Sequence, residues 1–188
     1  IITGGLGYIG TELCKLYSGV SWHHQIVVID NRFISERVNQ IRNWNMEFIQ
    51  GDILNKDLIK KYCKEADIIH HLAGVTDVPR TKSEASKTQD EKIKEVGEKG
   101  TQNILDVISD KCKIIFPSTH VVYEGIDEVK KDIKEEEDLK PVLSYSSSKA
   151  INENQLKKSG KNYVILRLGS VYGYSSDSMR IDIMPNLF

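Results

Sequence analysis

Ile1-Ile2-Thr3-Gly4-Gly5-Leu6-Gly7-Tyr8-Ile9-Gly10 is the stretch whose reading decides the fold. It begins as an apolar strand, passes through a glycine-rich turn and continues as a helix from residue 8. Gly4, Gly7 and Gly10 stand in GxxGxxG spacing. Glycine permits a tight turn and lets the backbone come close to a bound anion. Free N–H groups and the positive end of the helix dipole then attract negative charge. Glycine also serves ordinary turns, so the motif takes its meaning from what surrounds it.

A second apolar run, Gln25-Ile26-Val27-Val28-Ile29-Asp30, ends in an acid 20 positions after Gly10. That is the spacing of a dinucleotide site, with the pyrophosphate on the turn and the acid on the ribose. A carboxylate there accepts hydrogen bonds from the adenosine ribose hydroxyls and repels a 2′-phosphate, which favours NAD over NADP. Arg32 is the nearby residue that could hold such a phosphate instead. Further strand candidates are residues 1–3, 47–50, 67–72, 113–117 and 163–168, several of them near-continuous apolar runs as in strands covered on both faces. Helical patterns lie between them at 8–18, 34–42, 56–64, 84–109 and 145–158. Gly97 and Gly100 interrupt the fourth. The alternation predicts an α/β fold, a doubly wound parallel sheet of the Rossmann type. Residues 124–143 are dense in charge and read as a solvated loop with at most one helical turn.

Composition bounds the rest. The chain has 188 residues, 39% hydrophobic and 28% charged, with a net charge of −1. This suits one globular domain and does not point to nucleic acid or an anionic membrane surface. No apolar run approaches the roughly 20 residues of a membrane span. Cys14, Cys63 and Cys112 lie far apart without CxxC spacing and read as reduced thiols of a cytoplasmic protein. No metal site is expected, because the paired histidines lack a third ligand. The chain opens without Met inside a strand and stops without a tail, so it reads as incomplete. Residues 1–172 are expected to form the cofactor domain, and 173–188 the start of a substrate-binding region that is largely absent.

Two clusters carry candidate chemistry. Tyr145 and Lys149 form YxxxK, which shares one face of a helix. A free phenol, with a pKa of about 10, is a poor base at neutral pH. A lysine ammonium and a positive nicotinamide nearby favour the phenolate, which can then take a proton from an alcohol. Ser118 and Thr119 end the fifth strand, where parallel sheets bind ligands, and could bond substrate or Tyr145. They could also simply cap backbone groups. His120 is expected to alternate away from that site. His23-His24 and His70-His71 read as packing or surface residues.

Taken together, residues 3–10, Asp30-Asn31, Gly51-Asp52-Ile53, His71-Leu72-Ala73-Gly74, 118–123, Tyr145 and Lys149 with Glu153, and 166–173 resemble the extended short-chain dehydrogenases/reductases of the NAD-dependent epimerase/dehydratase family. The order and spacing agree over nearly the whole chain. The resemblance implies a pyrophosphate turn at Gly4, Gly7, Tyr8, Ile9 and Gly10, and a ribose site at Asp30 and Asn31. It places Asp52 and Ile53 beside the adenine, and Leu72, Ala73, Gly74 and Ser118 along the cofactor. It implies a catalytic set of Thr119, Tyr145 and Lys149, with Lys149 also on the nicotinamide ribose. Thr119, Ser170 and Arg180 are the residues it offers for substrate.

The sequence departs from the family pattern at Glu124, where VYG would have glycine, and at Gly97, where NVxGT would have asparagine. Ser170 stands where some 4-epimerases of the family have asparagine. His120-Val121 follow Thr119 where the dehydratase branch has Asp-Glu, which argues against 4,6-dehydratase chemistry. The expected function is NAD-dependent epimerisation of a nucleotide sugar through a transient keto intermediate, with a homodimer left open. A sugar or alcohol dehydrogenase or reductase is the alternative. A further one is an NAD-binding regulatory module without catalysis.

Overall fold

The computed structural model describes residues 1–75 and 85–175. Six parallel strands are ordered β3-β2-β1-β4-β5-β6. They are β1 (Ile2–Thr3), β2 (Val27–Asp30), β3 (Glu47–Gln50), β4 (Ile68–His71), β5 (Lys113–Thr119) and β6 (Asn162–Leu168). The helices are α1 (Tyr8–Tyr17), α2 (Ser35–Asn43), α3 (Lys56–Cys63), α4 (Lys87–Lys94), α5 (Gly100–Leu105) and α6 (Ser144–Lys158). This is the doubly wound α/β arrangement of the Rossmann fold, as the alternation of patterns predicts.

Both faces of the sheet are covered, and the alternation of β2 shows how. Val27 and Ile29 join a core that includes Ile59, Ile69, Ile104, Ile114, Phe116 and Leu156. Val28, between them, joins the opposite core with Ile2, Leu6, Cys14, Val38 and Ile41. Successive side chains of a strand point to opposite faces, so an all-apolar strand needs two apolar layers. The three cysteines are buried in these layers and free. Burial pushes the Cys63 thiol up to about 11 and that of Cys14 to about 12, which keeps both inert at neutral pH.

Two local differences from the sequence reading have physical reasons. The helix expected at 84–109 is divided: α4 passes into a π-helical turn, Glu95–Lys99, before α5. The turn is centred on Gly97, and the start of the expected span, Glu84, lies outside the described residues. β5 runs through Pro117 to Thr119. Pairing with β4 stops at His70 and Ile115, so the missing N–H of Pro117 faces no ladder there. The 124–143 segment carries no helix and is largely exposed, apart from its two ends. Among the described residues, no helix is long and apolar enough to cross a membrane.

Candidate active site

The strand order reverses direction of growth between β1 and β4, and a ligand cleft opens there beyond the strands' carboxyl ends. The cleft has a volume of about 780 Å³. Every residue assigned from the sequence to cofactor or catalysis lines it, from Gly4 through Asp30, Asp52 and Ala73 to Ser118, Thr119, Tyr145 and Lys149. Ser170 is exposed and is not part of that lining, although Gly169 and Val171 on either side are. Arg180 lies outside the described residues.

The floor is bare backbone for a steric reason. A Cβ on Gly10 would sit 2.4 Å from the Gly4 carbonyl oxygen and 2.7 Å from Gly5 Cα. Gly4 has φ +71°, and a Cβ there would meet the Ala73 nitrogen at 2.7 Å. The turn is therefore wedged against the segment after β4. The first amides of α1, at Tyr8, Ile9 and Gly10, have no acceptor within the helix, and all three residues line the cleft. Overpacking a close contact costs about 1–3 kcal/mol. Gly10→Ala is expected to lower the melting temperature and weaken NAD binding by about tenfold or more. Unchanged NAD affinity in a calorimetric titration would count against the turn as the pyrophosphate seat.

Beneath the floor lies a small polar relay. Thr3 Oγ1 and His71 Nδ1 are 2.8 Å apart, and His71 Nε2 lies 3.1 Å from Thr101 Oγ1. Ala73 donates its N–H to Thr3 Oγ1 at 3.3 Å. Burial, with Lys149 adding to it, lowers the His71 imidazole to about 3, so it stays neutral and ties β1, β4 and α5 together. His70 takes a separate partner, the Tyr17 hydroxyl at 2.8 Å.

At the end of β2, Asp30 is 5% exposed. Its Oδ2 accepts the Leu6 N–H at 3.0 Å, and its Oδ1 accepts from the Arg32 N–H at 3.0 Å and Arg32 Nε at 3.3 Å. Arg32 thus folds onto the carboxylate, while Oδ2 keeps further acceptor capacity toward the cleft. Asn31 Nδ2 reaches Asp52 Oδ2 at 3.4 Å, linking the segments that follow β2 and β3.

The other end is built from β5 and α6. Lys149 Nζ donates to the Pro117 carbonyl at 2.8 Å and lies 4.4 Å from the Phe116 ring centroid and 5.9 Å from that of Tyr145. Burial lowers the Lys149 ammonium to about 8, partly offset by Glu153. It is still mostly protonated at neutral pH. Thr119 Oγ1 accepts the Val121 N–H at 3.3 Å, which anchors the start of the 3₁₀ turn His120–Tyr123. Ser118 does not turn to Tyr145. Its hydroxyl donates to buried Glu153 at 2.6 Å. His120 pairs its Nδ1 with the Leu168 carbonyl, 3.2 Å away.

Some of the lining escapes sequence reading. Ser148 and Asn152 stand three and seven residues after Tyr145, on its helix face, and that spacing was a usable signal. Gly97 is explained by them. A Cβ there would lie 2.4 Å from Ser148 Oγ, and its carbonyl accepts from Asn152 Nδ2 at 3.1 Å. Lys92 and Arg37 come from α4 and α2, and only the tertiary fold brings them to the cleft.

The sequence profile of the NAD-dependent epimerase/dehydratase family matches residues 1–186. The chain belongs to this family. A CDP-paratose 2-epimerase from Salmonella typhi is 34% identical over 142 residues, covering 69% of this chain and 39% of that protein. A dTDP-D-glucose 4,6-dehydratase from Dictyostelium discoideum is 26% identical over 194 residues, covering 92% of this chain and 44% of the relative. A solved structure of UDP-glucuronic acid 4-epimerase from Bacillus cereus, in complex with UDP-glucuronic acid and NAD, superposes with a TM-score of 0.77 at 26% identity. It matches 98% of this chain and 60% of its own. The chain thus spans less than half the length of these curated relatives. The cofactor in the family's description fits this cleft. The bare glycine floor leaves room for a pyrophosphate, and Asp30 offers the ribose acceptor.

Proposed function

We propose that the protein is an NAD-dependent epimerase of a nucleotide sugar, with Tyr145 as its base. The observation that supports this most is the convergence of Thr119, Tyr145 and Lys149 on the cleft whose other end is the glycine turn and Asp30. Gly4, Gly7 and Gly10 with the first amides of α1 would hold the pyrophosphate, and Asp30 with Asn31 the adenosine ribose. Asp52 and Ile53 would flank the adenine. When bound, NAD would supply reversible hydride redox chemistry for the sugar carbon.

The chain's own part is position and proton handling. Tyr145 takes the proton of the sugar hydroxyl as its carbon is oxidised to a ketone, and gives it back when the carbon is reduced again. The Lys149 ammonium, held by Pro117 and buried beside Tyr145, stabilises the phenolate. Neutral His71 adds no competing charge beneath it. Thr119 would hold the reacting sugar oxygen. Residues 1–172 serve as the cofactor domain; of the substrate side expected at 173–188, residues 176–188 lie outside the described residues. His120-Val121 after Thr119 provide no carboxyl pair for eliminating water, which supports epimerisation over 4,6-dehydration.

The test is incubation of the full-length protein with NAD and a panel of UDP-, dTDP- and CDP-linked sugars, with products followed by NMR. An epimer that accumulates without net NADH is the expected result. Stoichiometric NADH would make the protein a dehydrogenase. A dehydrated 4-keto sugar would overturn the reading of the residues after Thr119.

A further inference from the structure

Glu124 stands where the family pattern has glycine, and the structure gives the substitution a use. β5 ends at Thr119 and the 3₁₀ turn ends at Tyr123. The chain then leaves through the exposed charged loop and returns at residue 140 to begin α6. The neck of this excursion is closed by two backbone bonds, Gly125 N–H to the Lys140 carbonyl at 2.8 Å and Lys140 N–H to the Val122 carbonyl at 2.9 Å. A Cβ on Gly125 would lie 2.7 Å from the Lys140 oxygen, so the two sides of the neck are in contact.

Glu124 extends that closure onto α6. Its Oε1 accepts the N–H groups of Val142 and Leu143, each at 2.8 Å, and the hydroxyl of Ser146. Leu143 occupies the N-cap position of α6 and has no side-chain oxygen with which to cap the first turn. Glu124, 19 residues back along the chain, instead holds the N-cap residue by its own N–H and the first turn by the Ser146 hydroxyl. A carboxylate at this end also complements the helix dipole. Burial pushes the Glu124 carboxyl up, but the donations from Ser146, Leu143 and Val142 outweigh it and hold it below its usual value. Tyr145 lies between Leu143 and Ser146, both of which Glu124 holds. Thr119 lies five residues before Glu124 on the same continuous segment.

We propose that Glu124 is a positioning residue: by tying the first turn of α6 to the end of β5, it sets Tyr145 in register with Thr119. The proposal rests on the assignment of Tyr145 as base. A displacement of about 1 Å at a reacting group can lower a rate about 10²-fold. In the full-length protein, Glu124→Ala is therefore expected to lower kcat by about 10²-fold, with the KM for the sugar and the affinity for NAD nearly unchanged. Glu124→Gln keeps an acceptor oxygen at the same reach and is expected to restore kcat. Glu124→Asp keeps the charge but is one methylene short of the two amides, and is expected to lose activity.

The assay uses NAD with UDP-glucose, UDP-glucuronic acid and CDP-linked sugars as probes, beside Tyr145→Phe. If Glu124→Ala keeps the parental kcat while Tyr145→Phe is inactive, the positioning role is overturned and the base assignment stands. If Tyr145→Phe is as active as the parent, or the parent turns over none of the probes, both readings fall. Should Glu124→Ala fail to fold, the other two variants decide. Activity in Glu124→Gln with loss in Glu124→Asp supports the proposal, and the reverse order overturns it.

Discussion

Replacing Tyr145 by Phe is expected to lower turnover by about 10²–10⁴-fold, the usual cost of removing a general base, while leaving NAD affinity close to the parent's. The substitution removes only the phenolic oxygen. The ring remains on α6, with Lys149 Nζ still 5.9 Å from its centroid and still bonded to the Pro117 carbonyl. The glycine turn and Asp30 at the far end of the cleft are untouched. The check is kcat for the variant beside a calorimetric NAD titration. Full turnover would remove Tyr145 from the mechanism, and a joint loss of NAD binding would show that the oxygen serves the cofactor and not the proton.

A second large effect is expected at Glu153, which no cofactor or substrate need touch. Glu153 is buried, at 0% exposure, one turn beyond Lys149 on α6. It accepts from Arg167 Nη2 at 2.7 Å and Nε at 3.0 Å, and from Ser118 at 2.6 Å, while Lys157 stands 3.8 Å away. Ser118 and Arg167 are register partners on β5 and β6, so the carboxylate joins α6 to both strands. Removing one member of a buried pair leaves the other charge uncompensated, at about 3–5 kcal/mol. Arg167 keeps some access to water, with 13% of its side chain exposed, which argues for the lower end. For a chain of this size about 3 kcal/mol lowers the melting temperature by roughly 6–12 °C. Glu153→Leu is expected to show that loss, and the double variant Glu153→Leu with Arg167→Met to recover part of it. A parental melting temperature in Glu153→Leu would show that the pair contributes little.

The same pair sets a pH dependence. Burial pushes the Glu153 carboxyl up, but Arg167 and Ser118 outweigh it and hold it below its usual value. A carboxyl lowered in the folded state adds stability above its unfolded value of about 4.3, and this is lost as pH falls through the lower folded value. Glu153→Leu should therefore narrow its stability gap to the parent only below about pH 4.3.

What the sequence determined by itself was whatever depends on neighbours along the chain. The glycine turn, the apolar strands, Asp30 at a strand end and Tyr145 with Lys149 on one helix face all arise from local sterics and from periods of two and 3.6 residues. They sufficed for the parallel sheet and for the cleft, because in such a sheet the strand ends define where a ligand lies. The tertiary structure decided the contacts between residues far apart in the chain. Whether Ser118 faces Tyr145 or Glu153 depends on how α6 packs against β5. Gly97 is explained only by Ser148, 51 positions later, where close approach of two helices leaves no room for a side chain. Glu124, read from sequence only as a departure from a motif, became the anchor for the start of α6, 20 residues further on, because backbone pairing of residues 122–125 with 140 folds the charged loop back on itself. Such partners have no fixed spacing, so no periodicity could have announced them.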